Sequence, residues 1–279
     1  MIPPIASNFV AGEGPAEALD HVRELNEGGV SAILNLLGEH YEERPPADED
    51  ADAYIDLVDD IHEAGLDACV SVKPSQIGLD VSDHAFEENV ARIVDHAAEK
   101  GVFVWIDMED HTTTDVTLDA YERLTRETDG MVGVCIQANL KRTGDDLERL
   151  APLPGKVRLV KGAYDEPKEI AYKQKSEVDR AYKEYLELMF REFEGGVAVG
   201  SHDPKMIEFA EELYDEYGTD FEIQMLMGVR ENAQFELAAQ EYEVWQYVPY
   251  GSKWFSYFYR RVRERKENAL FALRAVVGN

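Results

Sequence analysis

Eight short runs of apolar and β-branched residues recur along the chain: Ser31 to Leu37, Ala68 to Val72, Val102 to Ile106, Met131 to Ile136, Val157 to Val160, Val197 to Gly200, Phe221 to Leu226 and Val244 to Val248. Nearly every position within a run is apolar, where a half-exposed strand would alternate, so the pattern suits parallel strands buried on both faces. Between the runs lie longer stretches, such as His84 to Lys100 and Leu118 to Thr128, whose apolar positions return with helical period. A βα unit met eight times predicts an α/β fold, the TIM (β/α)8 barrel. Pro15 to Glu27 adds a helix before the first strand, ended by Gly28-Gly29. The alternative is an open doubly wound sheet, but no Gly-x-Gly-x-x-Gly follows any strand, and Gly12-Glu13-Gly14 lacks the third glycine.

Glu43 to Asp50, with Pro45-Pro46, reads as the clearest loop, and Ala151 to Gly155 separates the fourth helix from the fifth strand. Neither resembles an interdomain linker, so residues 1–279 are read as one barrel domain. The 57 acidic against 28 basic residues give a net charge of −29, which repels phosphate backbones and argues against nucleic acid as a partner. The acid excess is spread along the chain, as on proteins adapted to high salt. Cys69 and Cys135 fall in strand-like runs and read as buried small hydrophobes in a reducing compartment. With no signal segment and no apolar run long enough to span a bilayer, the expected location is cytoplasmic, or peripheral at the inner face of the membrane.

In a barrel of this kind the chemistry sits at the C-terminal ends of the strands. Here those ends carry Lys73, Asp107 with Glu109, Gln137, Lys161, Ser201 with His202, Gln224 and Tyr247. One such residue is usually the start of a solvated loop, but their convergence on one face is harder to dismiss. Arg158 lies inside a strand, where an unpaired cation is costly, so it implies an anionic partner: a carboxylate such as Asp107, or a phosphate-bearing cofactor. His111 follows the Asp107 to Asp110 carboxylates without a second histidine, a weak ligand set for a metal. Near the C-terminus, Tyr257, Arg260, Arg261 and Glu264 share one face if the segment is helical, and paired arginine forks there suit a small carboxylate.

Taken together, these residues resemble the proline dehydrogenase family, whose members use FAD on a distorted TIM barrel. The likeness is carried by Arg158-Leu159-Val160-Lys161-Gly162-Ala163-Tyr164, Tyr247-Val248-Pro249-Tyr250-Gly251 and Tyr257-x-x-Arg260-Arg261. Further matches are Phe9 to Gly12, Leu36 to Glu39, Asp107 to Asp110 and the Phe221 to Gly228 motif, in order along nearly the whole chain. The resemblance implies that Arg260, Arg261 and Lys73 bind the proline carboxylate while Leu226, Tyr247 and Tyr257 wall in the ring. It implies that Asp107 and Glu264 balance the positive charge, and that Tyr257 favours proline over hydroxyproline. On the cofactor side it implies Gln137, Arg158, Val160 and Lys161 at the isoalloxazine and Ser201, His202 and Gln224 along the rest of FAD. Lys173 and Lys175 are alternatives for a further FAD contact. Asp203 stands where larger members often carry asparagine.

The implied reaction is oxidation of L-proline to 1-pyrroline-5-carboxylate, with a membrane quinone as electron acceptor and a pyrroline-5-carboxylate dehydrogenase downstream. The rival enzyme reading is a Schiff-base barrel of aldolase type with Lys73 or Lys161 as nucleophile. The non-enzymatic rival is an acidic binding protein on a degenerate barrel, which would have little reason to keep so many ionisable strand ends.

Overall fold

The computed structural model describes residues 2, 6–255 and 257–259. After helix α1 (Pro15–Glu27), the units are β1 (Ser31–Leu36) and α2 (Arg44–Ala64), β2 (Ala68–Val72) and α3 (Asp83–Lys100), then β3 (Val104–Ile106) and α4 (Thr114–Glu127). They continue with β4 (Val132–Gln137) and α5 (Thr143–Leu150), β5 (Lys156–Val160) and α6 (Lys175–Glu192), β6 (Val197–Gly200) and α7 (Pro204–Tyr217), β7 (Phe221–Leu226) and α8 (Glu231–Ala238), and finally β8 (Glu243–Tyr250). The strands form a closed parallel barrel in sequence order, sealed where β8 pairs with β1 in the register Ile33 to Tyr247. The expected TIM barrel with its N-terminal helix is therefore present.

Helix packing follows the hydrophobic spacing. On α3 the buried residues Phe86, Val90, Ile93, Val94 and Ala97 form one stripe, and Ser82 caps the helix by accepting from Ala85 N at 3.1 Å. Burying a side chain such as Phe86 or Ile93 stabilises by about 1.5–3 kcal/mol. These stripes meet the outward faces of the strands in one continuous core that includes Val70, Val104, Val134 and Leu159.

One expectation fails. The Glu43 to Asp50 stretch is not a loop: α2 starts at Arg44, and Pro45 and Pro46 lie in its first turn. First-turn N–H groups have no acceptor within a helix, so proline loses nothing there, and its fixed φ favours the start. Two of its acidic residues, Asp48 and Asp50, are tied down. Arg44 bonds Asp48 at 3.1 Å and reaches Glu88 on α3 at 2.6 Å, while Asp50 accepts from Gln76 at 2.8 Å.

Inside the barrel Ile33, Cys69, Trp105 and Ala198 form a small apolar cluster, and both cysteines are buried thiols outside any disulfide. Gly133 on β4 is required there, because a Cβ would come within 2.6 Å of the Trp105 ring. Above this cluster the interior turns polar. Among the described residues no helix is long and apolar enough to cross a membrane.

Candidate active site

Side chains on a strand alternate in direction, so Arg158 on β5 and Gln224 on β7 both point into the barrel, where Asp107 and Tyr247 meet them. Arg158 is 5% exposed. Its Nη1 donates to Gln224 Oε1 at 2.9 Å, and its Nη2 forms an ion pair with Asp107 Oδ1. The guanidinium also lies 5.0 Å from the Trp105 ring centroid and 5.8 Å from that of Tyr247. Asp107 is thus the carboxylate partner that the sequence allowed for Arg158. Space for the arginine comes from β6, where a Cβ on Gly200 would stand 2.6 Å from Val160 Cγ1 and 3.2 Å from Arg158 Cγ.

Asp107 gathers two further donors, Ser71 Oγ to Oδ1 and the Tyr247 hydroxyl to Oδ2, each at 2.7 Å. Burial, reinforced by the Asp107 charge, pushes the Tyr247 phenol well above its ordinary pKa, so it remains a hydrogen-bond donor at neutral pH. Ser71 had not been singled out in the sequence, although it shares the inward parity of Lys73.

Around the rim, Lys73 Nζ stands 3.5 Å from Glu39 Oε2. Glu109, 3% exposed, accepts from Ser75 N at 2.7 Å and Ser75 Oγ at 2.8 Å. Burial nevertheless raises its carboxyl pKa. Gln137 Nε2 donates to the Glu109 carbonyl at 2.7 Å, binding the ends of β3 and β4 together. His202 Nε2 accepts from Leu226 N at 3.3 Å, Arg230 donates to the His202 carbonyl at 2.6 Å, and Ser201 Oγ accepts from Asp203 N at 3.2 Å. The ends of β6 and β7 are thereby joined. Gln224 differs from its expected place at a strand end: it lies within β7, 4% exposed, one inward position below Leu226. Tyr247 likewise lies within β8, which continues to Tyr250.

The loop between β5 and α6 is braced on two sides. Lys141 N bonds the Ile170 carbonyl at 2.9 Å and Tyr172 N the Asn139 carbonyl at 2.7 Å, while His111 N and Nδ1 reach Glu166 at 2.9 and 2.5 Å. Below it is a cleft of about 310 Å³ lined in part by Asn139, Lys161, Gly162, Tyr164, Tyr172 and Lys173. Asn139 Oδ1 is buried without a hydrogen-bond partner. Gly162 has φ of +105°, and a Cβ on it would sit 2.2 Å from that same oxygen. Lys161 Nζ donates to Asp179 at 2.5 Å and Asp203 at 2.9 Å. Burial disfavours its charge, but these two bonds outweigh burial and the amine pKa is raised. Lys173 pairs with Asp165 at 2.6 Å, and Lys175 with Asp179.

Tyr257 is 7% exposed and packs with Phe9, Val10 and Leu37. Arg260, Arg261 and Glu264 lie outside the described residues. The structure thus joins Asp107, Arg158, Gln224 and Tyr247 by direct contact, and sets Gln137, Val160, Lys161, Ser201, His202 and Leu226 on the neighbouring strand ends. Sequence reasoning gave no role to Asn139 and Lys156, nor to Glu39 and Glu222, which entered only as parts of the family motifs. Glu222 and Lys156 carried a readable signal, since each lies two residues before an inward polar residue, Gln224 or Arg158, and so shares its face.

A closed eightfold barrel with a buried cation, its counter-charge and a polar cleft at the C-terminal strand ends defines a small-molecule enzyme scaffold. Residues 18–274 match the family described as Proline dehydrogenase. The chain is 36% identical over 282 residues to Proline dehydrogenase of Deinococcus radiodurans, covering 98% of this chain and 90% of that one. It is also 36% identical over 276 residues to Proline dehydrogenase 1 of Bacillus subtilis strain 168, with the same coverage of 98% and 90%. The crystal structure of proline utilization A from Bdellovibrio bacteriovorus, inactivated by N-propargylglycine, superimposes with a TM-score of 0.84 at 23% identity over 92% of this chain. That likeness is one of fold, and this chain spans 32% of that longer protein. The chain belongs to the proline dehydrogenase family.

Proposed function

We propose that this chain oxidises L-proline to 1-pyrroline-5-carboxylate with FAD as its resident cofactor. The observation that carries the reading is Arg158, lodged inside the barrel of a family member and fixed by Asp107 on one limb and Gln224 on the other. The residues present suit FAD: the partnerless Asn139 Oδ1, the glycine turn at Gly162 and the Lys161 ammonium border one polar cleft. Gln137, Arg158, Val160 and Lys161 would hold the flavin ring, with Ser201, His202 and Gln224 along the remainder. When bound, FAD would supply the two-electron acceptor for the hydride that leaves proline C5.

The chain's own groups do the binding and orienting. Lys73 and the two arginines of the Tyr257-x-x-Arg260-Arg261 motif hold the carboxylate, with Asp107 and Glu264 balancing their charge. Leu226, Tyr247 and Tyr257 wall in the ring, and Tyr257 favours proline over hydroxyproline. Tyr247 keeps its proton while bonded to Asp107, so both stay in fixed orientation when substrate displaces water. A membrane quinone is the proposed acceptor and a pyrroline-5-carboxylate dehydrogenase the proposed consumer of product. The proposed location is the cytoplasm or, peripherally, the inner face of the membrane, and the acid-rich surface is read as an adaptation to salt.

The aldolase reading is disfavoured at Lys161, because Asp179 and Asp203 hold its amine protonated, whereas a Schiff-base nucleophile must be neutral. The test is turnover of L-proline with a dye acceptor and the imine product trapped by 2-aminobenzaldehyde. Formation of the trapped adduct is expected. No adduct, together with borohydride-fixed carbonyl substrate on Lys73 or Lys161, would reverse the assignment.

A further inference from the structure

Below the arginine the barrel holds a buried charge that none of the roles above uses. Glu222, on β7 two residues before Gln224, is 3% exposed. One of its oxygens takes the ammonium of Lys156, the first residue of β5, and the other accepts from Gln224 Nε2 at 2.5 Å. Lys156 is held in turn by Glu243 at 3.8 Å and by the faces of Phe103 and Trp245 at 5.5 and 5.9 Å. A charged pair at the bottom of a barrel is ordinarily a matter of stability. What sets this one apart is that it is the first link of a connected chain: Lys156 and Gln224 donate to Glu222, Arg158 donates to Gln224 and to Asp107, and Tyr247 donates to Asp107.

The oxygen and nitrogen of a glutamine amide are nearly the same size, so only their partners decide which way round the group sits. Arg158 offers donors alone and requires the Gln224 oxygen. A carboxylate offers acceptors alone and requires the nitrogen. With Glu222 below and Arg158 above, the reversed amide would set donor against donor and acceptor against acceptor. An apolar residue at position 222 would leave Arg158 alone to orient the Gln224 amide, and the Gln224 limb of Arg158 would be held less firmly than its Asp107 limb.

We propose that Glu222, anchored by Lys156, is a positioning residue that fixes the orientation of the Gln224 amide and, through it, the Arg158 guanidinium inside the barrel. The proposal rests on the reading that Arg158 lies against the flavin.

The test compares FAD-loaded E222L, Q224L, E222L/Q224L and E222Q for kcat, KM for proline and the visible absorption of the bound flavin. E222L and Q224L are each expected to lower kcat about 10- to 100-fold, the range for losing one hydrogen bond to a charged group, with KM changed by less than about threefold. Both are expected to shift the flavin band in the same way. Because Glu222 acts through Gln224, the double variant should be no worse than Q224L within about twofold. E222Q keeps an acceptor oxygen and should recover most of the kcat and the native spectrum. Losses that multiply in the double variant, or an E222L protein with native kcat and spectrum, would overturn the proposal. Should E222L fail to fold, Q224E and E222Q/Q224E decide. Q224E sets two carboxylates face to face, and the exchanged pair restores one donor between them, so recovery of about tenfold or more is expected and no recovery contradicts the proposal. Wild-type protein that binds FAD but does not oxidise proline would refute the proposed reaction, while the spectra of the variants would still report on Arg158.

Discussion

Tyr247 and Asp107 are 140 residues apart in sequence and share a 2.7 Å hydrogen bond inside the barrel. The bond joins β8 to the end of β3 and fixes one carboxylate oxygen, leaving the other to Arg158 and Ser71. A single acidic side chain at the end of β3 therefore ties together side chains from three other strands, β2, β5 and β8.

Replacing Asp107 with Asn should be more damaging than its size suggests. Arg158 would remain buried with only neutral partners, a change worth about 3–5 kcal/mol when one member of a buried ion pair is lost. Tyr247→Phe, which removes a hydrogen bond and no charge, should cost about 1 kcal/mol. Thermal unfolding of the two variants beside proline turnover separates these values, and equal losses would mean that the ion pair does not govern the site.

The arginines assigned to the proline carboxylate give a second test. Arg260→Met or Arg261→Met should raise KM for proline by an amount on the order of 2–4 kcal/mol, the range for a desolvated charge-assisted contact. Steady-state kinetics would show it, and an unchanged KM in both variants would remove the carboxylate clamp from the account.

Around Lys161 the dependence on pH has a definite sign. Burial opposes ionisation of Asp179 and Asp203, but hydrogen bonds from Lys161 outweigh it and both carboxyls lie below their ordinary value. Their contribution is therefore complete above the usual aspartate pKa of about 3.9 and is lost as pH falls through the depressed folded value. Lys161 is shifted the other way, so its share is complete below the ordinary lysine value and is lost as pH rises through the folded one. Asp179→Asn/Asp203→Asn should melt below wild type at neutral pH, with the gap closing below about pH 4. A gap that stays constant down to about pH 3 would exclude this coupling.

Gly162 tests the cofactor cleft. At φ of +105° and with Asn139 Oδ1 2.2 Å from where its Cβ would be, Gly162→Ala must strain the backbone and push on the partnerless oxygen. A cost on the order of 1–3 kcal/mol is expected, together with weaker FAD retention on gel filtration. Gly195→Ala, whose Cβ meets nothing within 4 Å, should change stability by less than about 0.5 kcal/mol.

Much of this was legible from the residues, for reasons that are physical. Eight apolar runs identify strands because burial on both faces makes nearly every position apolar while their shortness and β-branched content set them apart from buried helices, and a charge such as Arg158 inside one run signals a partner. Pro45-Pro46 misled because proline marks both a loop and a helix start, and which applies depends on whether an apolar stripe follows. Here Ala47, Ala51, Tyr54 and Val58 do follow. The pairing of Glu222 with Lys156 was not legible, because it crosses from β7 to β5 at a depth set by barrel closure. Their inward parity could be read; which charge met which could not.

The most direct test of the central claim is the absorption spectrum of the purified protein under anaerobic conditions, before and after L-proline. The account predicts the two visible bands of an oxidised flavin and their bleaching when proline is added. A colourless protein that takes up no FAD, or a flavin spectrum that L-proline leaves unchanged, would contradict it.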